Sequence, residues 1–210
     1  MKLFLSDFDG TLVKKDLLEI ICEITGKENE CRRLANLSAK DGFKNVYLKQ
    51  RIDLLKGVTV QQIKQKLGER DFLVNGAKEL FAYLKQNGFI TVLHTGNILP
   101  VAEYYQNLLG IDYIICTRPQ IKKGVIQGIE LDDVGQFGFK AVGCKEIIDE
   151  LKIKKENIWA IGDSIVDLPV FKFAGHTICI NAKEGIEKHA DFEIKNYDLS
   201  EVIKFLENAG

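Results

Sequence analysis

The sequence predicts an α/β fold: a doubly wound, mostly parallel, Rossmann-like sheet with an inserted all-helical cap. Three observations carry this. After Asn75-Gly76 short apolar strands alternate with amphipathic helices. Polar clusters rich in acids fall where the strands end. The stretch 14–72, between the first strand and the first of these helices, has a helical pattern of its own. It is too long for a single crossover, since a whole βαβ unit takes about 30 residues.

In chain order, Lys2–Asp7 (KLFLSD) is a short apolar run ending in acid, the signature of a buried strand, and Asp7-Phe8-Asp9-Gly10-Thr11 leaves it as a glycine-containing turn. Leu17, Leu18, Ile20, Ile21 and Ile24 form one helical stripe stopped by Gly26. Val46, Leu48, Ile52 and Leu55 form another stopped by Gly57, and Val60, Ile63 and Leu67 a third stopped by Gly68. Beyond Gly76 come helix 77–86, strand 89–94, helix 99–108 and strand 113–116. A small hairpin over 119–131, with Gly124 and Gly128, follows. Helix 145–151, strand 158–161, helix 168–173, strand 177–180, a short strand at 192–194 and a helix from Leu199 complete the chain. The expected division is a catalytic core of 1–13 and 73–210 with a cap of 14–72.

Composition removes several function classes. The 210 residues carry 29 Lys+Arg against 30 Asp+Glu, a net charge of -1, which argues against a nucleic-acid partner held by counterion release. No apolar run approaches the roughly 18 residues of a membrane span, and an acid already stands at residue 7, so neither a membrane association nor a signal peptide is expected. The 5 cysteines are odd in number and contain no CxxC pair, which reads as reduced thiols of a cytoplasmic protein. Near-neutrality is itself a cancellation. The segment 14–72 holds 13 basic and 9 acidic residues, and the rest 16 and 21. A basic lid over an acidic core suits a small anionic substrate.

Open α/β sheets place their sites at the carboxyl ends of the strands, and four clusters fall there. Asp7 and Asp9, two apart, face one side if the chain stays extended, and Asp163 joins them by fold logic. Carboxylates so concentrated need a cation, and hard oxygen ligands with open positions suit Mg²⁺. The plainer reading is a pair of turn and N-cap acids. Thr95-Gly96-Asn97 closes a buried strand and opens a helix, where hydroxyl, bare glycine amide and helix N-terminus make an anion cradle, although Thr and Asn are also ordinary N-caps. Lys145 is read as heading a helix against its dipole, with a solvated lysine the plainer reading and Lys140 a rival for the same role. Asp167 lies one helical turn beyond Asp163.

Taken in order, DFDGT, a hydrophobic strand with Thr-Gly, a lysine and GDSxxxD resemble the haloacid dehalogenase-like hydrolase superfamily. The helical cap, the stretch 108–113 followed by Arg118, the Lys-Gly hairpin and GDSIVDLPVFKFAG extend the likeness nearly end to end, toward the phosphoserine phosphatase-like branch. The resemblance implies a Mg²⁺-dependent phosphomonoesterase acting on a small anionic phosphorylated metabolite. It casts Asp7 as nucleophile and Asp9 as general acid and base. Thr95, Gly96 and Lys145 would act on the phosphoryl group. Asp7, Asp9, Asp163 and Asp167 would form the metal shell. Arg51 would grip a substrate carboxylate, which its place on an apolar stripe also allows, and Asp16 would help hold the amine; Asn97 completes the substrate set.

Three positions depart from the branch. Asp16 stands where Glu is usual, Gly96-Asn97 replaces Gly-Gly, and Val166 replaces an Asn whose amide meets substrate or phosphate. Val cannot hydrogen-bond, and a site that loses a polar contact can lose ~10⁴-fold in discrimination. Alternatives at this stage are a phosphatase of a sugar-like or methionine-salvage phosphate, a phosphotransferase with an alcohol acceptor, and a degenerate binding module of the same fold.

Overall fold

The computed structural model describes residues 1–134, 138–183 and 185–208, the last without its side chain. The strands are β1 (Lys2–Ser6), β2 (Phe89–Ile98), β3 (Tyr113–Thr117), β4 (Gln120–Lys122), β5 (Val125–Gly128), β6 (Ile158–Gly162), β7 (His176–Ile180) and β8 (Phe192–Ile194). The helices are α1 (Leu17–Cys22), α2 (Glu28–Lys40), α3 (Asn45–Asp53), α4 (Val60–Gly68), α5 (Ala77–Gln86), α6 (Leu99–Leu109), α7 (Phe139–Leu151), α8 (Leu168–Phe171) and α9 (Ser200–Asn208). Six strands form one parallel sheet in the order β3-β2-β1-β6-β7-β8. The order reverses between β1 and β6, so the crevice beyond their carboxyl ends is the topological switch point, where open α/β sheets bind ligands.

Strand alternation builds two apolar layers. Leu3, Leu5, Val92 and Ala160 pack with Ala141, Cys144 and Ile148 of α7 and with Val170 of α8. Phe4, Leu93, Trp159 and Ile161 pack with Leu80 of α5, Tyr105 of α6 and Val202 of α9. Leu17, Ile21, Ile52 and Ile63 of α1, α3 and α4 belong to this second cluster, so the helical insertion shares the apolar core beneath it. Burying one such side chain fully contributes roughly 1.5–3 kcal/mol.

The chain enters and leaves the insertion along adjacent paths. Val13 bridges Leu73, and the Val74 amide donates to the Leu12 carbonyl at 2.9 Å. The β4–β5 hairpin turns through Lys123-Gly124, at φ 51° and 76°. It is bonded to the insertion: the Gly57 amide donates to the Ile126 carbonyl and the Ile126 amide to the Val58 carbonyl, both at 2.9 Å.

Three boundaries differ from expectation. Helix α2, not separately predicted, buries only Cys31 and Leu34 of its 13 residues, so its apolar stripe is nearly silent. Strand β2 runs through Thr95-Gly96-Asn97 to Ile98, with a register shift in its pairing to β3. Those residues therefore sit on a bulged strand end, and α6 starts after them with Pro100 in its first turn. Helix α7 begins at Phe139, not at Lys145. Its internal Gly143 is a close-packing position: a Cβ there would meet Ile115 carbons at 3.0 Å. Among the described residues no helix is long and apolar enough to cross a membrane.

Candidate active site

The loops beyond β1, β2 and β6 and the N-terminus of α7 close a cavity of about 290 Å³ beneath the inserted helices. Asp7 follows β1, and its amide donates to the Ile161 carbonyl of β6 at 3.0 Å, which fixes it at the switch point. The turn after Asp9 needs glycine. Gly10 has φ 93°, and a Cβ on it would fall 2.0 Å from an Asp163 carboxylate oxygen.

Asp7 and Asp167 share one cation. Lys140 Nζ lies 2.5 Å from Asp7 Oδ1 and 3.1 Å from Asp167 Oδ1. Lys140 is the second residue of α7, and its side chain is 13% exposed. Burial opposes its charge, yet Asp167 and Asp7 outweigh burial and hold the ammonium well above the usual lysine range. The structure thus corrects the sequence expectation for Lys145. That residue is the seventh of α7, on an exposed face and paired with Asp149. The earlier helix start puts Lys140, the rival, over the cleft and turns Lys145 outward.

Asp9 is positioned by its surroundings as well as by the turn. Its Oδ1 accepts from the Leu17 amide at 2.8 Å, and its Oδ2 accepts from Asn97 Nδ2 at 3.2 Å and from Thr95 Oγ1 at 3.4 Å. Burial, and then the Asp16 and Asp7 charges, push its pKa up to about 7 against the Leu17 hydrogen bond. A carboxyl titrating near neutrality is able to give and retake a proton. Asp167 is also pushed up to about 7, by burial and then by Asp7.

Thr95 and Asn97 are buried. The Asn97 amide donates to Thr95 Oγ1 at 3.0 Å, and Thr117 Oγ1 holds the Gly96 carbonyl at 2.9 Å. Gly96, Thr95 and Asn97 all line the cavity. On the insertion side, Asp16 caps α1 by accepting from the Leu18 and Glu19 amides at 3.0 and 3.3 Å. It also pairs with Arg51 Nη2. Both line the cavity, as does Val166. The structure therefore gathers Asp7, Asp9, Asp16, Arg51, Thr95, Gly96, Asn97 and Asp163 around one space, places Asp167 behind Lys140, and leaves Lys145 outside.

Two residues near the site were given no role by the sequence reading. Lys183, after β7, sets its ammonium 2.5 Å from Asp163 Oδ2 and its amide 2.8 Å from the Asp163 carbonyl. The strand-end rule applied to β7 would have found it. His94 is fully buried beside Asp7, and neither ring nitrogen has a hydrogen-bond partner. Burial, and then the Lys140 charge, hold its pKa down near 3, so the ring is neutral.

Among the described residues, two acidic groupings are candidates for a cation. In one, ligand atoms of Asp7, His94 and Asp167 lie within 4.8 Å of one another. That grouping already contains the Lys140 ammonium, and an imidazole is a poor ligand for a hard cation. The other is Asp7 with Asp163. Both are buried, and burial, then the Asp7 charge, raise the Asp163 pKa. Its cation in this structure is Lys183, whose side chain is 54% exposed. The all-oxygen donors, with only a half-exposed ammonium now facing Asp163, fit a hard divalent ion on this side.

Comparison with known proteins gives the family. The model of the haloacid dehalogenase-like hydrolases matches residues 4–172. The chain belongs to that family. This hydrolase is 29% identical to a phosphoserine phosphatase of Methanocaldococcus jannaschii over 98% of its own length and 97% of the relative's. It is 28% identical to a phosphoserine phosphatase of Campylobacter jejuni subsp. doylei, over 98% and 100%. Among solved structures it is similar to a phospho-aspartyl intermediate analogue of phosphoserine phosphatase, with a TM-score of 0.83 at 27% identity, covering 97% of this chain and 98% of that one. A substrate-bound phosphoserine phosphatase complex gives a TM-score of 0.84 at 28% identity, covering 97% of each.

Proposed function

We propose that this hydrolase cleaves a small phosphomonoester through an aspartyl-phosphate on Asp7, with L-phosphoserine the substrate its site supports best. The carrying observation is the Asp7–Lys140–Asp167 chain at the switch point, with Asp9 poised across the same cavity.

Asp7 attacks phosphorus in line, and the leaving alcohol departs with a proton from Asp9, whose pKa near 7 suits the transfer. Asp9 then takes a proton from the water that hydrolyses the acyl phosphate. Thr95 Oγ1 and the Gly96 amide hold the transferring oxygens, and Lys140 offsets their charge. The carboxylates of Asp7 and Asp163 and the backbone of Asp9 would hold Mg²⁺, which when bound screens the repulsion between carboxylate and phosphate. Asp167 holds Lys140 in place, a positioning role and not that of a direct metal ligand.

Residues 14–72 serve as the cap. Their +4 excess charge and the Arg51–Asp16 pair suit a substrate with a carboxylate and an amine. Val166 on the cavity wall favours a second reading, a phosphate ester without a polar group at that point, such as a sugar-like or methionine-salvage phosphate. A phosphate-release screen with Mg²⁺ decides between them. Preferential turnover of phosphoserine supports the first reading, and turnover of sugar-like esters alone overturns its substrate.

A further inference from the structure

Arg51 is held at two different nitrogens by two different helices. Nη2 meets Asp16 at the start of α1, and Nε donates to Cys31 Sγ of α2 at 3.3 Å. The Arg51 side chain is 13% exposed, and Cys31 and Cys22 are fully buried. Cys22, the last residue of α1, belongs to the same buried apolar cluster as Cys31. Three elements of the insertion therefore meet on one guanidinium.

A contact through one Nη alone leaves the guanidinium plane able to rotate about its own long axis. A second contact at Nε fixes the plane, and with it the direction in which the remaining Nη hydrogens face the cavity. The sulfur is suited to this. The Cys22 thiol and then, against burial, the Arg51 charge hold the Cys31 thiol below its ordinary range, while the Cys31 contact pushes Cys22 far up. The lone pairs of Cys31 Sγ accept the hydrogen bond from Arg51 Nε.

We propose that Cys31 is a positioning residue that fixes the Arg51 guanidinium plane for a carboxylate on the substrate. Cys31 touches no substrate, so its removal changes affinity for carboxylate-bearing esters and leaves the phosphoryl chemistry intact. The carboxylate part rests on the substrate reading above; the fixing of Arg51 does not.

The test uses Cys31→Val, which keeps the volume and removes the acceptor, and Cys31→Ser, which restores one. Phosphoserine and phenyl phosphate, which lacks a carboxylate, are the substrates. The expected result is a KM for phosphoserine raised about 5- to 20-fold in Cys31→Val, with kcat within 2-fold, most of it recovered in Cys31→Ser and no change for phenyl phosphate. A KM that rises equally for both substrates overturns the proposal. An arm independent of turnover is the solvent exchange of the Arg51 Nε proton by NMR, assigned through Arg51→Lys. The proton should be protected in the wild type and exchange at least 10-fold faster in Cys31→Val. Unchanged exchange overturns the proposal even if KM moves. If the wild type hydrolyses phenyl phosphate but not phosphoserine, the substrate reading fails, and the exchange measurement alone decides whether Cys31 fixes Arg51.

Discussion

Replacing Lys140 by Met removes the cation that pairs with both Asp7 and Asp167, while the same change at Lys145 removes an exposed partner of Asp149. Breaking a buried ion pair from one side leaves charge uncompensated and costs about 3–5 kcal/mol. That is a large share of the roughly 5–15 kcal/mol of a typical domain. Proton uptake relieves part of it. Asp167 already sits near 7 with Lys140 present, and loss of the ammonium moves it higher still. A carboxyl protonated in the fold contributes stability that grows as pH falls, so the deficit of Lys140→Met should be greatest at pH 8 and smaller at pH 6. Activity should fall by 10²–10³-fold or more, about the loss on removing one preorganised charge-stabilising donor. Phosphate release at saturating substrate, with urea unfolding of each variant at both pH values, measures these effects. Lys145→Met should match the wild type within 2-fold in activity and within error in stability. An inactive Lys145→Met beside an active Lys140→Met would falsify the assignment.

Four further outcomes follow from the same geometry. Val166→Asn should raise kcat/KM for phosphoserine relative to sugar-like phosphates; an unchanged ratio would show that this wall does not discriminate. Asp16→Asn, assayed with phenyl phosphate, should move the alkaline limb of the pH–rate profile to lower pH, because the Asp16 charge helps hold the Asp9 proton. A shift to higher pH contradicts Asp9 as the acid. His94 is neutral in the fold near pKa 3, and its unfolded form takes a proton below about 6.5, so stability is lost as pH falls. Relative to His94→Gln, the wild type should lose roughly 2 kcal/mol between pH 7 and 5 in urea titrations, and parallel curves for the two proteins would refute a buried neutral ring. Chelation should stop phosphate release, and added Mg²⁺ should restore it in the wild type but not in Asp163→Asn.

The sheet was legible because its strands are short apolar runs ended by polar clusters, and the same ends announced Asp7, Thr95 and Asp163. What escaped was set by tertiary contact. Helix α2 has too few buried positions to show a stripe. The start of α7 was hidden because Gly143, which is there to approach Ile115, interrupts the pattern between Lys140 and Lys145. The strand-end rule points to Lys183, but its pairing with Asp163 and the Cys31–Arg51 contact join segments distant in sequence, and no local spacing encodes either contact. His94 was visible as part of a polar cluster at a strand end, but its isolation from any partner is a property of packing.

The central claim is that Asp7 becomes phosphorylated. Rapid acid quench of enzyme turning over ³²P-labelled substrate, followed by peptide mapping, tests it most directly. An aspartyl-phosphate mechanism predicts label on the peptide containing Asp7, lost in Asp7→Asn together with phosphate release. Label on another residue, or full turnover by Asp7→Asn, would contradict it.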